Sequence, residues 1–98
     1  MSDYLTVWRA KVAGADAQAL VEVEPKAIAE AKRLCPELQG TELVDLGDGT
    51  WLHVLRWSAP DGVERLMAKA EEFDLVSTMH GYLADAEEVG HGEVVTRS

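Results

Sequence analysis

One cysteine, Cys35, stands in this chain of 98 residues, which excludes an internal disulfide and any CxxC metal pair. Basic residues are scarce: nine Lys and Arg face eighteen Asp and Glu, for a net charge of −9. They form no cluster, so the patch that DNA or RNA binding needs is missing. The same balance disfavours an anionic membrane surface. No apolar run approaches the length of a membrane span. The opening Met-Ser-Asp-Tyr-Leu has no basic segment leading into an apolar one, so no secretory signal is expected and a cytoplasmic location is the simple expectation. No Walker loop, GxSxG elbow or HExxH is found. Nor is there a linker, a repeat or a low-complexity stretch. The chain reads as a single domain over residues 1–98.

Apolar residues make up 47% of the chain, too many for disorder. Residues 4–12 (YLTVWRAKV) read as a strand with large apolar groups on both faces: Tyr4, Thr6, Trp8 and Ala10 on one, Leu5 and Val7 with Arg9 and Lys11 on the other. Residues 16–35 read as a helix with Asp16 as N-cap and Leu20, Val21, Ile28, Ala31 and Leu34 at helical spacing. Pro25 predicts a kink or restart, because it lacks a donor and crowds the carbonyl of Val21. Pro36 ends the helix. Residues 41–46 and 51–58 read as strands joined by Gly47-Asp48-Gly49-Thr50, a hairpin signal. On the second of these, Trp51, His53, Leu55 and Trp57 share a face, and Leu52, Val54 and Arg56 share the other.

Ser58-Ala59-Pro60-Asp61 resembles a capping box before a helix with Val63, Leu66, Met67, Ala70 and Phe73 inward. A further helical piece is predicted over about residues 75–84, with Val76, Met79, His80 and Leu83 on its apolar face. Residues 88–96 give a last, glycine-broken strand. This order of elements is βαββαβ, which right-handed crossovers fold into a ferredoxin-like α+β domain: a four-stranded antiparallel sheet with the helices on one face. The opposite face then carries either Leu5, Val7, Leu52 and Val54 or Trp8, Trp51 and Trp57. That is a large apolar patch for a lone subunit. Two sheets packed face to face in a homodimer would cover it.

The opening strand YLTVWRAKV, the helix ending at Pro36, the stretch GTELVDLGDGTWLHVLRW before a capped helix, and the closing HGEVV together resemble the antibiotic biosynthesis monooxygenase family of dimeric α/β-barrel proteins. The resemblance covers essentially the whole chain. It implies a pocket between sheet and helices, and oxidation of aromatic, polyketide-type phenols by O₂ with no cofactor. Haem-degrading relatives rely on an Asn, a Trp and a His. Here Trp57 and His80 match two of these, and the chain has no asparagine.

Within such a pocket, Trp51 and Trp57 would sandwich a flat substrate, with Trp8 as a further wall, and His53 would handle a proton. Core packing is the plainer role for Trp51, His53 and Trp57. His80 is either a general base for a phenol or a core-edge histidine, and less readily an iron ligand. Tyr82 or Arg56 would steady the phenolate; an arginine at position 9 or 56 more commonly pairs with Glu42 or Glu93. His91 lies between two glycines at the pocket or the dimer seam, or is structural. The three histidines lack ligand spacing, so no metal is expected. Cys35 reads as buried filler, and the acidic residues of the helices as solvated faces. Two functions stay open at this point. One is a cofactor-independent monooxygenase. The other is a non-catalytic dimeric module that binds a small aromatic or apolar ligand, with haem binding a weaker variant.

Overall fold

The computed structural model describes residues 3–98. Its order is β1 (Tyr4–Lys11), α1 (Ala17–Leu34), β2 (Leu38–Asp45), β3 (Thr50–Trp57), α2 (Gly62–Met67), α3 (Leu75–His80) and β4 (Ala84–Glu93), with single 3-10 turns before α1 and between α2 and α3. The strands form one sheet in the order β2-β3-β1-β4, antiparallel at every pairing. This is the ferredoxin-like α+β fold expected from the order of elements.

β3 organises both layers. Its burial alternates without a break, and Trp51, His53, Leu55 and Trp57 all point to the helices. The register sets Trp57 beside Tyr4 and Leu38, and His53 beside Trp8 and Leu43. Leu20, Ala27, Ile28 and Ala31 of α1 complete the core with Leu66, Val76 and Met79. The tryptophans therefore belong to the helix-covered face. Leu5, Val7, Leu52 and Val54 occupy the bare one, where each stays only half-buried. The turn between β2 and β3 needs glycine twice, since Gly47 and Gly49 both adopt φ of 87°.

Several local expectations are corrected. Asp16 stands at the N-cap position of α1 but makes no capping hydrogen bond, because the preceding 3-10 turn already places it at helical angles. The capping box does not form: Ser58 Oγ donates to the Glu37 carbonyl at 3.4 Å, and α2 starts only at Gly62, directly after Asp61, which does not cap it. The Asp61 carboxylate instead receives Arg65 Nε at 2.9 Å, while Arg65 Nη1 reaches Glu37 at 2.8 Å and ties α2 to the start of β2. Helix α1 does not restart at Pro25. Val21 is exposed, so its carbonyl can turn to water, and the apolar residues on both sides of the proline hold the helix to the sheet. β2 begins at Leu38, and β4 runs from Ala84 to Glu93, so the last helical piece ends at His80 rather than near residue 84. Met67 and Ala70 are exposed, because α2 closes after six residues and the chain turns away.

Gly62 begins α2 directly over the ring of Trp57. A Cβ there would penetrate Trp57 Cε3 and Cδ2 and lie 2.9 Å from Cγ. The ring is 1% exposed and has no room to yield. Glycine to alanine ordinarily favours a helix by about 1 kcal/mol. Here the sign is expected to reverse, with Gly62→Ala losing about 1–3 kcal/mol through overpacking. Chemical denaturation followed by tryptophan fluorescence measures it, and a stabilised variant would refute the close approach.

Candidate active site

Between the sheet and the helices lies a cavity of about 160 Å³. β1 and β3 supply Trp8, His53, Leu55 and Trp57; the helices supply Ile28, Leu66 and Met79; His80 borders it from the end of α3. No lysine or arginine lines it. An apolar slot with a few polar groups at fixed places is the usual form of a small-molecule site. Trp57 is anchored by its own Nε1–H, which donates to Thr6 Oγ1 at 3.1 Å across the sheet.

His53, 5% exposed, is held by a carboxylate. Its Nε2 lies 2.9 Å from Glu24 Oε2, an oxygen that also accepts from Thr41 Oγ1 at 2.6 Å. The hydrogen bond from His53, assisted by Thr41, by the charge of His53 when it is protonated and by Lys32, holds the Glu24 carboxyl below the usual carboxylate range against the opposing effect of burial. Glu24 is thus an ionised group facing the core from the middle of α1.

His80 is exposed as a residue, yet its ring borders the cavity. Desolvation of that ring, and secondly the charge that His53 carries when protonated, push its pKa below the ordinary histidine value. The fold therefore favours the neutral imidazole. Stability from this preference is full above the unfolded value of about 6.5 and is lost as pH falls through it toward the lower folded value. In a histidine NMR titration His80 is expected to titrate below about 6.5. His53→Ala should raise its midpoint only part of the way, because desolvation is the larger cause. An unshifted midpoint would show that the ring is fully solvated.

α3 is itself pinned from below. Glu30, buried on α1, accepts the backbone N–H groups of Asp74 (3.0 Å), Leu75 (3.2 Å) and Val76 (3.1 Å). These bonds, Val76 first, hold its carboxyl below the usual range. They satisfy donors that the start of a helix leaves open and fix the segment carrying Met79 and His80.

Among the residues singled out from sequence, Trp8, His53, Trp57 and His80 meet at the cavity. Trp51 is buried on the same face, further along β3 and away from the cavity lining. Tyr82 packs against the core without lining the cavity. Arg56 projects from the opposite face of the sheet, its guanidinium over Gly40. Arg9, also on that face, pairs with Glu87 rather than with Glu42 or Glu93. His91 is exposed and 3.3 Å from Glu88. Cys35 is buried, with a thiol pKa raised by desolvation and by Glu37. Among the described residues no three His, Cys, Asp or Glu side chains converge as a metal site. Glu24 and Glu30 correct the reading of the helical acids as a solvated face. The signal was present: Glu24 falls at i+4 from Leu20 and i−4 from Ile28, inside the apolar stripe.

No protein-family model and no curated protein matches the sequence. Solved structures do match over the full chain. A proposed antibiotic biosynthesis monooxygenase from Bordetella bronchiseptica superposes with a TM-score of 0.80 at 12% identity, covering 98% of this chain and 100% of the other. A variant of SnoaB, a cofactor-independent oxygenase from Streptomyces nogalater, gives 0.68 at 21% identity, covering 100% and 96%. A dimeric ferredoxin-like protein from an uncultured marine organism gives 0.68 at 9% identity, covering 100% and 92%. The chain therefore has the ferredoxin-like fold shared by these proteins, and its structural neighbours include antibiotic biosynthesis monooxygenases.

Proposed function

We propose that this protein is a cofactor-independent monooxygenase that oxidises a small hydroxyarene with O₂ and works as a homodimer. The observation that carries the reading is the cavity: apolar, walled by Trp8 and Trp57, bordered by two imidazoles and free of cationic side chains. The neighbouring cofactor-independent oxygenase supports the reaction class. The bare apolar face of the sheet, and the dimeric neighbour of the same fold, support the dimer.

In this reading a histidine, His80 or His53, takes the phenolic proton. The phenolate ring then passes one electron to O₂, and the two radicals combine at a ring carbon as a hydroperoxide. Loss of water leaves a quinone. One oxygen atom ends in the product and the other in water, and the substrate ring supplies all four electrons. The indoles hold the ring flat, and the apolar walls keep bulk water from the phenolate and the radical pair. Trp51, Tyr82 and Arg56 have no place in this scheme within one subunit.

A volume of about 160 Å³ is below the range usual for ligand pockets. It suits one or two fused rings and is too small for a haem macrocycle. The small volume also keeps a second reading open, a non-catalytic module that holds a small apolar ligand. Oxygen consumption with 1-naphthol separates the two. Uptake above the no-protein blank, with naphthoquinone formed in equal amount, is expected, falling about tenfold or more when both imidazoles are removed in His53→Ala combined with His80→Ala. Uptake equal to the blank across one- and two-ring phenols would leave only the binding module.

A further inference from the structure

We infer that Glu24 is a positioning residue that fixes the tautomer of His53, so that Nδ1 carries the lone pair and is the atom that accepts the proton of a hydroxyl-bearing ligand. The inference rests on the monooxygenase reading for its ligand but not for its geometry. Two donors converge on one oxygen of Glu24, the Thr41 hydroxyl at 2.6 Å and His53 Nε2 at 2.9 Å. An ionised carboxylate can only accept, so the proton of a neutral His53 sits on Nε2. Among the described residues Nδ1 has no hydrogen-bond partner. No polar side-chain atom is buried there without one either, so Nδ1 reaches open space, and the cavity is the open space that His53 borders.

Charge explains why a carboxylate belongs behind this histidine. When a neutral hydroxyarene gives its proton to Nδ1, an imidazolium forms beside the Glu24 anion and the two cancel at 2.9 Å. The new phenolate faces the imidazolium from the other side. The arrangement needs no arginine or lysine in the cavity, and none is there. The groups facing the pair are Thr41 from β2, His80 from α3 and Lys32 from α1. His80, held neutral, leaves the proton to His53. Glu24 does not line the cavity, so its effect passes through the imidazole.

Two experiments on the intact protein test this. Nitrogen-15 NMR of the histidine rings at mildly alkaline pH needs no ligand. His53 is expected to show a protonated Nε2 and a bare Nδ1. A proton on Nδ1, alone or together with Nε2, would overturn the assignment, whatever becomes of the oxygenase reading. The second experiment adds 1-naphthol below its own pKa and records the naphtholate absorbance band, with tryptophan fluorescence reporting occupancy. Glu24→Gln keeps the shape and an acceptor for Thr41 but removes the charge. It is expected to lower the ionised fraction of bound naphthol at least about tenfold at similar occupancy, equivalent to about 1.4 kcal/mol. An undiminished band in Glu24→Gln would overturn the inference even if oxygen uptake persists. Ionised naphthol in the wild type, with no oxygen uptake from it or from the other one- and two-ring phenols, would instead support the inference and end the oxygenase reading.

Discussion

Replacing Trp57 with alanine is expected to remove about 3–5 kcal/mol of stability, a large share of what a domain of this size holds. The indole is 1% exposed and sits where four elements meet: Tyr4 and Leu38 flank it across the sheet, Gly62 lies on its ring, and Thr6 receives its N–H. Its removal would join the vacated volume to the existing cavity, and no neighbour is placed to fill it. The Thr6 hydroxyl, also buried, would lose its donor. Trp57→Phe keeps most of the bulk and is expected to cost less, about 1–2 kcal/mol, chiefly through that hydrogen bond. Urea unfolding at one fixed protein concentration measures both, since an associating protein gains stability with concentration. An alanine variant within about 1 kcal/mol of the parent would mean that α2 collapses onto the sheet and that the cavity is not a rigid feature.

The part of this architecture open to sequence reasoning was the part governed by strict periods. The two-residue period of a strand grouped Trp51, His53, Leu55 and Trp57 of TWLHVLRW on one face before any fold, and the burial alternates in the same way, although the pattern did not say which face points inward. The Asp-Gly turn was legible for the same local reason. Properties that depend on distant packing were not. Both faces of β1 carry large apolar groups, so the pattern alone left open which face the helices cover; the arrival of α1 on the Trp8 side decides it. Pro25 argued for a broken helix, and contacts on either side of it outweighed one lost hydrogen bond. The cavity was divided in a way the strand pattern could not tell. Trp51 and Trp57 share a face, yet only Trp57 reaches the space under α2 and α3. Glu24 was hidden by composition: in a chain with eighteen acidic residues, one carboxylate in an apolar stripe passes for a surface charge until His53 is seen beside it.

Placing an aspartate at position 54 is expected to weaken self-association at least about a hundredfold. Val54 stands near the middle of the bare face, paired with Val7 on β1 and with Glu42 on β2, and flanked along β3 by Leu52 and Arg56. In a face-to-face dimer this apolar centre is covered, and a carboxylate there would be buried with Glu42 directly opposite it. Like charges across a strand pair repel, and an uncompensated buried charge costs about 3–5 kcal/mol, which converts to two or three orders of magnitude in dissociation constant. Sedimentation velocity over a concentration series reads the change, with circular dichroism to show that the subunit stays folded. A wild-type protein that is a well-folded single subunit at micromolar concentration would refute the dimer outright, and an unchanged dissociation constant in Val54→Asp would place the interface elsewhere. The consequence reaches the cavity, because alternate residues of one strand serve the two faces: His53 lies between Leu52 and Val54, and Trp8 follows Val7. A sheet released from its partner would hold these side chains less firmly. The dissociated variant is therefore expected to bind 1-naphthol more weakly, although no residue of the cavity has been changed.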